Sequence, residues 1–182
     1  MKITLLRALA VAGMVLAITS PSQGFEGFLR IDGVKGESTD QRYRDWIVVT
    51  AVGWGHQLPI ATGSMGSGAS VSRVQVQPLT VSKILDSTSP ELAQMVADGR
   101  VIRQVFLDLV QGPGQAPFAR IELQDVLLSS YAVEGVAGTP QRPAEKLSFR
   151  FGKINWSAFP AQPGGPGAEI KHGWDVRTNQ GN

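Results

Sequence analysis

FLRIDGVKGESTDQRYRDWIVVTAVGW, residues 28–54, places two strand-like runs around a turn rich in glycine, aspartate and serine. Phe25 to Asp32 alternates well enough for a strand, with Phe28 and Ile31 available for burial. Asp32-Gly33 then turns the chain, because glycine tolerates a positive φ. Trp46 to Trp54 is rich in β-branched residues and almost continuously apolar, which predicts a strand buried on both faces, or on one face and against a neighbouring subunit. A β-rich fold is the first expectation.

Working outward, the same pattern persists. Gly55 to Ser70 is a long connector holding four glycines, and a connector of that length is functional or mobile. Val71, Val74, Val76, Leu79 and Val81 predict an irregular strand, which Pro78 confines to an edge or a bulge. A single helix begins at Ser89, taken as the N-cap, with Pro90 in the first turn and Glu91 complementing the dipole. Leu92, Met95 and Val96 line one face of it, and Gly99 ends it. Val101–Val110, Phe118–Val133 and Lys146–Phe159 are strands separated by Gly/Pro turns. The expected fold is mainly β, a compact antiparallel barrel with one short helix packed on its side.

Composition narrows the function. The chain of 182 residues carries 17 basic and 15 acidic residues, but Lys2 and Arg7 lie in an N-terminal segment that resembles a leader. Without them the charges balance, no basic run exceeds two residues, and nucleic-acid binding is not expected. The absence of cysteine excludes a disulfide scaffold, a thiolate metal site and a cysteine nucleophile.

The leader itself has the form of a secretory signal. Lys2 and Arg7 precede an uncharged apolar run, Ala8 to Ile18, then Pro21 and small residues, which places cleavage between Gly24 and Phe25. The run is too short to span a bilayer. Residues 1–24 are thus expected to be removed, leaving a single domain over 25–182 with an extended tail over 160–182 and no membrane span. The mature protein would be periplasmic or extracellular; a misassigned start codon would instead place it in the cytoplasm before release.

Sites for chemistry are scarce. His56 and His172 stand alone in loop-like sequence, and the stretch Gly63 to Gly68 lacks both a nucleophile-elbow and a P-loop pattern. Asp32 and Glu37 could bind a cation, but Glu37, Asp40 and Asp45 read more simply as turn caps or partners of Arg42 and Arg44. Trp46, Trp54, Trp156 and Trp174 read as core or subunit-contact residues. No catalytic residue, metal or cofactor is expected.

Six short motifs in order resemble those of the haemolysin-coregulated protein (Hcp) family. They are Ile31-Asp32-Gly33; Gly36-Glu37-Ser38-Thr39-Asp40; Asp45-Trp46-Ile47 with Trp54-Gly55; Lys83 and Asp86 ahead of Ser89-Pro90 and Leu92; Phe151-Gly152-Lys153-Ile154 with Trp156; and Gly173-Trp174-Asp175 with Thr178-Asn179. The chain departs from the family's pattern at Val48-Val49, at Gly53 and at Gln77-Pro78.

The resemblance implies a non-enzymatic component of a type VI secretion system. Its subunits would form hexameric rings, closed by head-to-tail contacts and stacked into an inner tube that can carry effectors. The implied partners are other copies of itself and the sheath, spike or effector proteins of the apparatus. The long loop would stack the rings, through His56, Gln57, Leu58, Pro59, Ser64, Met65 and Ser67. Tube subunits assemble in the cytoplasm, so a Sec leader points to the alternative of an exported protein-binding module of the same fold, not loaded into a tube.

Overall fold

Alternation of apolar side chains along long strands builds the molecule, a computed structural model that describes residues 24–61, 70–71, 73–162 and 165–181. The expected leader up to residue 23 therefore lies outside the described residues, as do Ser64, Met65 and Ser67. In chain order the strands are β1 (Glu26–Ile31), β2 (Ile47–Val49), β3 (Ala51–Gly53), β4 (His56–Gln57), β5 (Ile60–Ala61), β6 (Ser70–Val71), β7 (Gln75–Val76) and β8 (Leu79–Ile84). Helix α1 (Ser89–Asp98) follows, then β9 (Val101–Val110), β10 (Ala119–Glu134), β11 (Ala144–Ala158), β12 (Ala161–Gln162), β13 (Gly165–Pro166), β14 (Ile170–Asp175) and β15 (Gln180–Gly181).

The main sheet is antiparallel and runs β15-β14-β11-β10-β9-β1-β2. Its path also branches at β11, whose first half pairs with β8 while its second half pairs with β14. β8 pairs in turn with β3, and β3 is separated from β2 by Thr50 alone. Segment 47–53 therefore contacts β1 through its first half and β8 through its second, so the ladder returns to the segment where it began. Few backbone groups are left on open edges by such a circuit.

Thr50 is where the expected single strand over 46–54 divides. The Thr50 N–H and hydroxyl both donate to the Ser82 carbonyl, at 2.8 and 3.1 Å, and hold the bend against β8. Nor is the strand buried on both faces: Ile47 and Val49 point inward while Val48 is 48% exposed. The apolar sequence here reflects one buried face and one outward face.

The core follows strand parity. Leu29 and Ile31, Leu79 and Val81, Val105 and Leu107, and Leu147 and Phe149 all turn inward, and Leu92 and Met95 of α1 join them. Full burial of each such side chain contributes about 1.5–3 kcal/mol. Helix α1 packs against β10. Thr88, not Ser89, is its N-cap, and it makes no side-chain cap bond. Ser89 is instead the first helical residue, with its hydroxyl accepting from the Asp86 N–H at 3.0 Å. Gly99 ends the helix at φ 60°.

Of the expected connector over 55–70, residues 62–69 lie outside the described residues, and the described part belongs to a paired arm. β4 pairs with β7 and β5 with β6, each as a separate ladder outside the main sheet. The same pairing explains the irregular valine run: β7 belongs to the arm, Gln77-Pro78 interrupts, and β8 enters the main sheet.

Candidate functional site

The turn after β1 is held by backbone. Gly36 N–H donates to the Asp45 carbonyl at 2.8 Å and Ser38 N–H to that of Trp46 at 3.0 Å, so 36–38 runs alongside 45–46. A Cβ on Gly36 would stand 2.2 Å from the Trp46 oxygen, which only glycine avoids. Asp45 has φ 63° at this close approach. Its carboxylate lies 3.6 Å from Lys35, not against Arg42 or Arg44 as the charge pattern predicted.

The carboxylates here serve the backbone. Glu37 Oε1 accepts the Ser87 N–H at 2.9 Å, tying the first turn to the entry of α1; these bonds hold its carboxyl below the usual range. Asp40 accepts from Arg42, Tyr43 and Gly114 N–H groups at 2.8, 3.1 and 2.6 Å. Ser38 Oγ accepts the Asp40 N–H at 3.3 Å. Glu37 and Ser38 thus engage backbone groups and present no paired acid and nucleophile.

Beneath the helix start lies a buried charged cluster. Lys83 is fully buried, with Nζ 2.6 Å from Glu145 Oε2, 2.8 Å from Asp86 Oδ1 and 3.4 Å from Ser89 Oγ. Tyr131 donates its hydroxyl to the other Glu145 oxygen at 2.6 Å. Burial opposes ionisation of Glu145, but hydrogen bonds from Lys83, Ser89 and Tyr131 outweigh it and lower its pKa. The Tyr131 phenol is pushed up to about 12, by burial first and then by Glu145. The motif residues Lys83, Asp86 and Ser89 meet here, with Pro90 next to them in the first turn of α1. Glu145 and Tyr131 escaped sequence reading. Their signal was parity: Lys83 follows Leu79 and Val81 on the inward face of β8, so a buried anion had to face it.

A second buried carboxylate, Asp108, receives the Arg120 guanidinium through two bonds of 2.6 Å. Tyr43 stacks on Phe28 at 4.4 Å and meets Trp46 edge-on at 5.2 Å. Burial, then the neighbouring Asp108 charge, pushes the Tyr43 phenol up to about 12.

On another flank the remaining tryptophans converge. Trp54, His56, Val74 and Val76 lie over Ile154, Trp156 and Trp174, lining a cavity of about 100 Å³. Trp54 and Trp156 lie 5.5 Å apart, and His56 and His172 pack on them at 5.3 and 6.3 Å. Both histidines sit on strands, β4 and β14, rather than in loops as expected. Pairing explains the convergence: Trp156 lies opposite His172 and Ile154 opposite Trp174. The arm residues Gln57 and Leu58 are exposed, Leu58 at 45%, with Pro59 half-buried beside them and Gly55 at the arm's base accepting the Gln77 N–H.

The late motifs form the C-terminal turn. Asp175 Oδ1 accepts the Arg177 and Thr178 N–H groups at 2.9 and 3.1 Å, while Lys153 lies 3.6 Å from its other oxygen. Val176 N–H donates to the Gly152 carbonyl at 2.9 Å. Arg177 pairs with Asp125 at 3.2 Å, and a Cβ on Gly152 would crowd that aspartate at 3.1 Å. Gly173 is buried in β14 opposite Asn155. Near the first turn, Asp32 donates its N–H to the Gln104 carbonyl and Gly33 takes φ 87°.

Among the described residues no group of three or more His, Asp or Glu could hold a metal, and no helix is long and apolar enough to cross a membrane. The carboxylates of Glu37, Asp40 and Asp175 accept from backbone amides at turns.

Comparison with known proteins agrees with this geometry. The family described as "Type VI secretion system effector, Hcp" matches residues 28–157. The protein Hcp1 of Pseudomonas aeruginosa is 32% identical over 157 residues, 84% of this chain and 95% of that protein. A solved structure described as a type six secretion system protein superposes with a TM-score of 0.81 at 28% identity, covering 87% of this chain and all of the other. Hcp1 from Salmonella typhimurium shares the fold, with a TM-score of 0.71 at 24% identity over 87% of this chain and 99% of its own.

Proposed function

The chain belongs to the Hcp family of type VI secretion system proteins, and on that premise we propose that it is a non-enzymatic ring subunit that stacks into the secretion tube. The observation that carries this reading is the paired arm, in which β4 pairs with β7 and β5 with β6 as ladders outside the main sheet among the described residues. In this reading the exposed Leu58 of the paired arm meets the neighbouring ring. Outward-facing Val48 on β2 supplies a second apolar contact, suited to the lateral closure of a ring. Six copies close the ring in this reading, and the other partners are the sheath, spike and effector proteins of the apparatus. The purified protein, concentrated and viewed by negative-stain electron microscopy, should show six-fold rings and short stacks. A strictly monomeric species in sedimentation velocity at the same concentration would overturn the reading.

The N-terminal pattern of Lys2, Arg7 and the apolar run to Ile18 favours a second reading, an exported module that binds a protein partner outside the cytoplasm. Intact mass from fractionated cells separates the two. A periplasmic species beginning at Phe25 supports export, and a full-length cytoplasmic species supports the tube.

A further inference from the structure

The arm must be held at a fixed angle if it is to present a surface, and the packing beneath it is apolar. The contact beneath it is aromatic and aliphatic, around the cavity of about 100 Å³ between Trp54, His56 and Val76 on one side and Trp156 and Trp174 on the other. Apolar contact is non-directional, so several inclinations would bury similar area. The indole N–H groups of Trp54 and Trp174 are covered and make no hydrogen bond, so neither orients the arm.

One polar tie crosses from the arm to the barrel among the described residues. Arg73 Nη2 donates to the Val176 carbonyl at 3.2 Å and to the Arg177 carbonyl at 2.6 Å. The turn carrying these carbonyls is itself fixed. Asp175 caps it, Val176 N–H is bonded to Gly152, and Arg177 is paired with Asp125. A guanidinium can place two N–H groups only over a limited range of direction, so this contact supplies the orientation that the aromatic seat lacks.

We propose that Arg73 is the positioning residue of the arm, fixing its inclination on the C-terminal turn so that one ring can engage the next. The proposal rests on the arm's role in stacking. It makes the C-terminal turn part of the assembly apparatus, although none of its residues need touch the neighbouring ring.

Hydrogen–deuterium exchange on the purified unstacked protein reads the tie directly. Arg73→Met keeps the aliphatic stem and removes the donors. It should speed exchange of amides in 55–61 and 73–77 about fivefold, the effect of losing the two exposed hydrogen bonds together. Arg73→Lys, which keeps the charge but not the planar fork, should restore only part of the protection. Asp175→Ala, which loosens the turn, should speed the same amides, and the double variant should be no faster than the faster single variant. Unchanged exchange in Arg73→Met, additive effects in the double variant, or full restoration of protection by lysine would each overturn the tie. Stacking is then scored separately by electron microscopy. Faster arm exchange with stacks as long as wild type overturns the link to assembly. A wild-type protein that never stacks overturns the ring-stacking reading and leaves the exchange result to decide the tie.

Discussion

Lys83 and Glu145 meet at 2.6 Å with both side chains fully out of water, across sixty-two residues of sequence. Asp86 and Tyr131 complete the contact, so the start of α1 is joined to β8, β10 and β11 by charge as well as by packing.

Lys83→Met removes the cation and leaves Glu145 buried, and Asp86 partly buried, without it. Breaking one side of a buried pair costs about 3–5 kcal/mol. Replacing both partners, Lys83→Met with Glu145→Leu, removes the stranded charge and should cost clearly less than the sum of the two single changes. Urea denaturation of the three variants measures this. Simple additivity would mean that the two groups act independently.

The same cluster sets a response to acid. Burial alone would raise the carboxyls of Glu145 and Asp86, but their hydrogen bonds, Lys83 foremost, hold both below their ordinary values of 4.5 and 3.8. A carboxyl whose pKa is depressed on folding contributes stability that is present above its unfolded value and lost as pH falls through the folded one. Stability should therefore hold from neutrality down to pH 4.5 and decline below it. Thermal melts of wild type and Glu145→Gln across pH 3–7 should converge toward the acid end, and parallel curves would exclude Glu145 as a source of the decline.

Gly36 and Gly33 should respond differently to alanine. At Gly36 the new Cβ meets backbone at 2.2 Å, and backbone cannot rotate away, so a loss of about 3 kcal/mol or more is expected. Gly33 has open space around it, and Gly33→Ala incurs only the strain of a positive φ, about 1–2 kcal/mol. Chemical denaturation of both variants checks the order, and equal losses would refute the close approach.

Val48 tests assembly at a position that is about half exposed in the monomer. Its side chain is about half exposed and lies opposite Phe28, so Val48→Asp should cost the monomer about 1 kcal/mol, too little to unfold it. Rings should be lost in sedimentation velocity if β2 faces a neighbouring subunit. Intact rings in this variant would move the lateral contact elsewhere.

Much of the fold was legible because its signals are local. Val101–Val110 was bounded correctly by alternation and flanking turns, and the helix by Pro90 and Gly99. The helix cap was misplaced by one residue because Ser89 looks like a cap but spends its hydroxyl on Asp86 and Lys83. The arm was hidden because β4 to β7 are two-residue strands, too short to show a period. His56 looked like a loop residue for the same reason, until pairing set it beside Trp54.

What the sequence determined by itself was the class of fold, the order of its long strands and the family, since period-two burial, glycine turns and short motifs are written in consecutive residues. The tertiary structure alone decided that segment 47–53 divides at Thr50 between β1 and β8, that Lys83 is buried against Glu145, and that Arg73 grips the C-terminal turn. Each of these last is a relation between residues tens of positions apart. Register and facing geometry, which no local pattern encodes, settle which partners meet.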